Sequence, residues 1–502
     1  MKIVSPDVMS EIDKQAINSF NIPGLLLMEN AGIQCWIQIK KYIEEHNLSN
    51  IGIVIVAGSG NNGGDALVIA RQAWNSGHKN ISIIISKDNG SEMFLLHKKI
   101  CENLEIPIFK FETENDKIIK IIEESGLVID GLTGTGLIGA LRSSPADLIK
   151  LINLSSAVKI SIDIPSGLGD KFKLGYPVLK ADLTLTIGLP KTILYYPAAR
   201  IFAGEIIVVS IGFPPSLLDN PPDSGDIYFK DTISFPDIPL FAYKGTRGHA
   251  AVFAGSIGTV GAAVLSANAA GRTRSGLVTL FVDSNIYNIA ASHLTSIMVR
   301  KLDTTVEDSV LKGCTSILAG PGWGTEDRSP LLEKLFDSNI PGVLDADGLN
   351  LLLKMESQFV DSPGFLRGSW VFTPHPGEFE GLSGIDKETF LSSPLSFLRK
   401  TAAKYGAVIV LKSHVTFIVT PKGDYTVVDG MNPAMGTGGS GDILSGIIAG
   451  FLAQGIEPYN AAVLGVTLHQ NIGKTCFKEK GWFLAEDLLP YISSSITTME
   501  TL

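Results

Sequence analysis

Runs of apolar, largely β-branched residues recur along the chain at helix-length intervals, and no other feature restricts its fold as strongly. Before residue 211 they lie at 51–57, 81–85, 106–109, 127–129, 158–162, 183–187 and 206–209. A strand with one face in water alternates apolar and polar residues. These runs are mostly apolar at successive positions, which indicates a parallel sheet covered by helices on both faces. The rhythm resumes at 250–253, 277–281, 316–318, 342–344, 370–372, 408–411 and 416–420. Between the two series, segment 211–239 holds six prolines in 29 residues, which opposes continuous helix or central strand. A chain of 502 residues is too long for one ordinary core. The expectation is two three-layer α/β domains, residues 1–212 and 240–502, joined by a proline-rich linker at 213–239.

The charged share of 18% agrees with large buried sheets rather than disordered tails. A net charge of −10 without a Lys/Arg run offers nothing to a nucleic-acid backbone or an anionic membrane. Any anionic ligand must be held locally. Cys35, Cys101, Cys314 and Cys476 form no CxxC pair, so neither a zinc site nor a disulfide framework is indicated, and they read as reduced core thiols. The start, MKIVSPDVMSEIDKQ, lacks a signal-type apolar core, and no apolar run approaches the ~18 residues of a membrane span. A cytoplasmic protein that forms a homo-oligomer is expected. Ser5-Pro6-Asp7 is a helix start, with a capping hydroxyl, Pro at the first helical position and an acid at the positive end.

Three strand ends in the first half carry chemistry. The run ending at Ala57 enters Gly58-Ser59-Gly60-Asn61-Asn62-Gly63-Gly64-Asp65, followed by a helical stretch from Ala66 to Ser76. Glycines let backbone approach a phosphate, and a helix N-terminus offers free N–H groups. The spacing is not GxGxxG, so the ordinary dinucleotide fingerprint is absent. The plain alternative is a Gly/Asn-rich turn without ligand. Asp130 and Asp163 end two further runs, as DGLTGTGLIG and DIPSG, and each alone could merely cap a turn. Carboxyl ends of parallel strands converge on a ligand crevice, however, and three such ends favour a site.

SGNNGGDA, DGLTGTGLIGA and SIDIPSG resemble the YjeF-type NAD(P)H-hydrate epimerases, whose fold is Rossmann-like, over residues 1–212. The resemblance implies that Asn61, Asn62, Gly63, Gly64 and Asp65, with Gly134, Thr135, Gly136, Leu137, Ile138, Gly139 and Ala140, line a hydrated dinucleotide. It also implies that Asn62, Asp130 and Ser166 hold a potassium ion, for which oxygen-only ligands are suitable. Asp163 would face the ring carbon bearing the added hydroxyl. As that hydroxyl leaves with help from the ring nitrogen, Asp163 would transfer the proton, and water would return on the other face. Lys191, in GLPKTILYYPAAR, also looks family-like; a surface position is expected for it.

The second half carries MNPAMGTGGSGDILSGIIAGFLA at 431–453, a glycine-rich turn before an apolar helix beginning near Asp442. The N–H groups of Gly439, Ser440 and Gly441 would form a pocket for phosphate oxygens, with Asp442 placed to accept a proton from a hydroxyl. A simple helix cap needs no such density of glycine. GTGGSGD resembles the anion hole and catalytic Asp of ribokinase-like kinases. YKGTRGHAAVFAGS, GTVGAA, GPGWGT, DADGLN, TPHPGEFEGL and LKSHVT, in that order, resemble the ADP-dependent NAD(P)H-hydrate dehydratases over 240–490.

That resemblance implies that Ala262, Gly322, His375 and Asp442 contact the hydrated nucleotide, and that Lys412, Ser413, His414, Val415, Thr416 and Gly441 contact AMP or ADP, with Mg2+ accompanying it. Ser413-His414 replace the family's usual small residues after the lysine. Asp345 and Asn350 are also expected near the site. His375 sits in a Pro-rigidified turn after a strand. The remaining histidines, His46, His78, His97, His249, His293 and His469, show no ligand spacing. Phosphoryl transfer from ADP would turn the ring hydroxyl into a good leaving group, giving NAD(P)H, AMP and phosphate. A kinase of a small alcohol would leave the first-half motifs idle, and a nucleotide sensor would leave Asp163 and Asp442 without a role. The reading is therefore one enzyme that epimerises R and S hydrates and dehydrates the S form.

Overall fold

A computed structural model describes all residues except 49–50, 229–234, 236, 303–307, 356–363 and 501–502. Residues 229–234 and 236 of the expected linker, 213–239, thus lie outside the described residues. The chain falls into two compact units, Met1–Gly225 with Leu391–Ser393, and Asp226–Phe390 with Pro394–Leu502.

In the first unit, strands run in the order Ile108–Lys110, Ile81–Ile85, Ile53–Ala57, Leu127–Gly131, Val158–Ile162, Leu183–Ile187 and Glu205–Val209, all parallel. Ile55, Ile83, Ile129 and Ile160 are wholly buried on one face, and Val54, Ile84 and Val128 on the other. Each such side chain contributes roughly 1.5–3 kcal/mol on leaving water. Helix Pro6–Asn18 starts as the sequence predicts, with Ser5 Oγ accepting from Val8 N at 3.2 Å.

Two boundaries move. Asn61–Asp65 form the first turn of helix Asn61–Asn75 rather than a loop, so the tight turn is confined to Gly58–Gly60. The segment expected as linker also folds in part: Pro215–Leu218 is a short helix, and Asp226–Tyr228 pair in parallel with Thr426–Val428.

The second unit places strands in the order Gly225–Tyr228, Tyr425–Asp429, Val415–Val419, Val408–Leu411, Trp370–Phe372, Gly342–Leu344, Ser316–Ala319, His249–Phe253, Leu277–Asp283 and Met298–Leu302. The middle is parallel, whereas Val408–Leu411, Val415–Val419 and Tyr425–Asp429 form an antiparallel meander. LKSHVT is its first hairpin. Met298–Leu302 and Tyr425–Asp429 were not expected as strands. The former, MVRKL, is a half-exposed edge without an apolar run. Helix Ser440–Ala453, buried from Ile443 onward, packs against helix Val260–Arg272 across a shared aliphatic core.

The turn at Gly58 tests this geometry. A Cβ there would stand 1.9 Å from the Leu132 carbonyl oxygen, whereas one at Gly60 meets nothing within 4 Å. Gly58→Ala is expected to destabilise the first unit by about 1–3 kcal/mol through forced backbone movement. Gly60→Ala should change it by less than about 0.5 kcal/mol. Denaturant unfolding of both variants checks this, and equal effects would contradict it.

Candidate active sites

In the first unit the strand ends surround a cavity of about 680 Å³. Of the residues expected to line it, Asn61, Asn62, Gly63, Asp65, Gly134, Thr135, Gly136, Leu137 and Asp163 do so. Gly64 does not. Its Cα faces Met28, whose methyl carbon lies 2.6 Å from where a Cβ would be. Ile138, Gly139 and Ala140 also fall outside the lining. Ile138 bridges Asp170, and Gly139 N donates to Asp170 O at 2.8 Å, which carries the chain away. The sequence reading missed Met9, Ser10 and Asp13, which enter from the N-terminal helix.

Asp163 follows strand Val158–Ile162 with φ 66°, left-handed for a non-glycine, its N–H donating to Leu185 O at 2.8 Å. Its Oδ1 accepts from Ile187 N at 3.1 Å and from the Lys191 ammonium. Lys191, expected at the surface, is instead 1% exposed. Its burial is tolerable because Asp163, Thr186 Oγ1 at 3.3 Å and the Ile187 carbonyl receive its protons. Gly188 and Pro190 beside it within an apolar stretch were the signal that could have placed it. Burial, then the Asp163 and Asp13 charges, push the Asp65 carboxyl well above the usual range, with Lys191 opposing. Asp13 is raised by burial and by Asp163.

Beneath the cavity floor, Asp130 is fully buried. Its Oδ1 accepts from Ser166 Oγ at 2.6 Å and Leu132 N at 3.1 Å, and its Oδ2 from Ser166 N at 2.9 Å and Ser161 Oγ at 3.0 Å. Burial raises its pKa, and the Ser166 bonds oppose that rise. Asn62 Nδ2 donates to Thr133 O at 3.0 Å, while Asn62 Oδ1 is buried without a hydrogen-bond partner. Asn62, Asp130 and Ser166 are thus brought together through Thr133, whose N donates to Ser166 Oγ at 2.8 Å.

In the second unit Asp442 sits in the first turn of helix Ser440–Ala453, whose cap, Gly439, has φ 92°. Ser440 N donates to Thr437 O at 3.3 Å, so of the three N–H groups expected to form the pocket those of Gly439 and Gly441 are without a described partner. Lys412 Nζ lies 2.7 Å from Asp345 Oδ1 and 3.3 Å from where a Gly441 Cβ would be. Burial, then Asp345, push Asp442 up to about 7, with Lys412 opposing and Asp347 adding. Glu378 is also raised by burial. A carboxyl titrating near neutrality is suited to proton transfer at working pH.

Ala262 and Gly322 meet: a Cβ on Gly322 would stand 3.0 Å from Ala262 Cβ. His375 caps helix Pro376–Ser383, its Nδ1 accepting from Gly377 N at 2.9 Å and Glu378 N at 3.2 Å, which puts the ring proton of its neutral form on the exposed Nε2. In the hairpin, Val415 and Thr416 are buried strand residues, so Lys412, Ser413 and His414 alone form the loop. Asn350 is exposed on helix Asp347–Lys354, and no described hydrogen bond joins it to this group. All four cysteines are free and buried, and among the described residues no helix is long and apolar enough to cross a membrane.

The family model for the YjeF-related protein N-terminus matches residues 24–193, and that for NAD(P)H-hydrate dehydratase matches residues 250–496. A bifunctional NAD(P)H-hydrate repair enzyme of Moorella thermoacetica is 31% identical, spanning 100% of this chain and 97% of its own. The chain belongs to the family of bifunctional NAD(P)H-hydrate repair enzymes. The Coxiella burnetii member is 33% identical over 88% of this chain and 89% of its own. An ADP/ATP-dependent NAD(P)H-hydrate dehydratase from Bacillus subtilis is 26% identical, with TM-score 0.46 over 53% of this repair enzyme and 95% of the other.

The Asp442 shift has a consequence for stability. Between about pH 4 and 7 the carboxyl ionises when unfolded but stays protonated when folded. The folded state then binds more protons, so stability falls as pH rises through that window. The unfolding midpoint of the second unit in wild type, relative to Asp442→Asn, is expected to drop across this range and level off above it. A constant difference would contradict the assignment.

Proposed function

We propose that the two units divide the repair: the first, residues 1–212, interconverts R and S hydrates of NADH and NADPH, and the second, 240–502, dehydrates the S hydrate at the expense of ADP in the cytoplasm. The observation that carries this is one accessible carboxylate at the carboxyl edge of each sheet. In the first unit, Asp163 has Oδ1 occupied and makes no described hydrogen bond through Oδ2. That oxygen gives a proton to the hydroxyl, which leaves as water as the ring nitrogen's electron pair breaks the C–O bond, and it takes a proton back from the water that re-adds on the other face. Asn61, Asn62, Gly63, Asp65 and Gly134 to Leu137 hold the dinucleotide around it.

In the second unit Asp442 takes the proton of the ring hydroxyl while Gly439 and Gly441 N–H groups and Lys412 receive phosphate charge. Ala262, Gly322 and the His375 Nε2 edge face the substrate, and Ser413 and His414 the nucleotide. Val415 and Thr416 support that loop from the sheet. Among the described residues no group of three His, Cys, Asp or Glu forms a metal cage, so Mg2+ would arrive on the nucleotide phosphates. Potassium fits the first unit: the partnerless Asn62 Oδ1 is a ready oxygen ligand, with Ser166 Oγ and Asp130 beside it. When bound, the ion fixes the 130–134 turn that borders the cavity.

The variants separate the activities. Asp163→Asn should retain ADP-dependent dehydration of S hydrate yet lose catalysed interconversion, and Asp442→Ala should do the reverse, losing about 100-fold or more in dehydration rate. Chromatography of both epimers with and without ADP reads this out. Both activities surviving in either variant would overturn the corresponding role.

A further inference from the structure

Among the described residues Lys191 is the one buried cation on the cavity wall, and the division of labour leaves it idle. Its backbone is placed from two sides. Val4 N donates to Pro190 O at 3.1 Å and Thr192 N donates to Val4 O at 2.8 Å, so the N-terminal segment grips the turn after strand Leu183–Ile187. The 3-10 turn Thr192–Tyr195 then fixes the residue from the far side. Its ammonium is delivered under Asp163, where the Ile187 carbonyl, Thr186 Oγ1 and Asp163 Oδ1 are its acceptors. Ile187 N holds the same Oδ1 at 3.1 Å. Both donors converge on one carboxylate oxygen of a residue that lines the cavity, and the other oxygen makes no described hydrogen bond.

We propose that Lys191 is the positioning residue for Asp163: it clamps Oδ1, aims Oδ2 at the hydrate hydroxyl, and supplies the positive charge that stabilises the carboxylate formed when Oδ2 gives its proton to the departing hydroxyl. The inference rests on Asp163 being the proton-transfer group. Lys191 itself neither gains nor loses a proton in the cycle. Proton transfer runs between Oδ2 and the leaving or returning hydroxyl, and the ammonium remains paired throughout. Asp163 needs this partner because its other ionisable neighbours are Asp13 on helix Pro6–Asn18, Asp65 on helix Asn61–Asn75 and Cys35 on helix Gly24–Glu45. Two of these are carboxyls whose negative charge would oppose its ionisation, and removing a cation from such a group makes the carboxylate harder to form.

The test uses the full chain without ADP, following interconversion of the two hydrates against pH. Lys191→Met should lower kcat about 100-fold with KM changed less than about threefold, and should move the alkaline limb of the profile upward by about one pH unit or more, because the carboxylate that proton loss leaves behind is harder to form. Thr186→Val, which removes one acceptor of the ammonium, should fall in the same direction by a few-fold, and decides the matter if Lys191→Met does not fold. Wild-type kcat and an unmoved limb in the folded Lys191→Met or Thr186→Val protein, with Asp163→Asn inactive, would overturn the inference while leaving Asp163 in place. A rise in KM matching the loss in rate, without a pH shift, would also overturn it, making the lysine a substrate contact. Full activity in Asp163→Asn would instead remove the reading beneath it.

Discussion

Both sites depend on what happens where a strand buried on both faces releases its chain. Inside the sheet the strands are buried on both faces and mostly apolar, which leaves little room for substrate. At the carboxyl edge the chain must turn within a few residues into a covering helix, and backbone passes close to backbone. The Gly58 Cα lies so near Leu132 that a Cβ would stand 1.9 Å from its carbonyl oxygen. The second unit solves the same problem with Gly439 in a left-handed conformation before helix Ser440–Ala453. The glycines permit the turns, and the turns leave helix N–H groups and polar side chains facing open space.

Three carboxylates near these edges are held in different ways, and the differences separate their roles. Asp130 is satisfied by four hydrogen bonds from Ser161, Leu132 and Ser166, which suits a rigid floor rather than a proton carrier. Asp163 is half satisfied, with a lysine and one backbone N–H on a single oxygen. Asp442 lacks a comparable clamp, and burial raises it to about 7. A satisfied group, a clamped group and a neutral-range group lie on one chain, and of these three the last two keep an oxygen without a described hydrogen bond.

Much of this was legible in the sequence for a physical reason: fully buried strands read as uninterrupted apolar runs, and a strand end followed by glycine reads as a turn. Asp163 stands at such a strand end and Asp442 beside such a glycine turn, while the roles expected of them come from the family resemblance. What such local patterns missed depends on distant parts of the chain. Lys191 is buried because Val4 grips its backbone and Asp163 receives its charge, and no local pattern encodes either contact. Ile138 to Ala140 leave the cavity because Asp170 draws them off. Strand Met298–Leu302 has an exposed edge and therefore no apolar run, and Asp226–Tyr228 gain strand geometry only by pairing with Thr426–Val428.

The central claim is that one chain converts the hydrate its second unit does not accept into the one it does. The most direct measurement starts from purified R hydrate, mixed with the full-length protein and ADP, and follows the absorbance of regenerated reduced nicotinamide. The account predicts a lag while S hydrate accumulates, then complete recovery, faster than spontaneous interconversion allows and dependent on ADP. Recovery no faster than the spontaneous rate, or recovery without ADP, would contradict it.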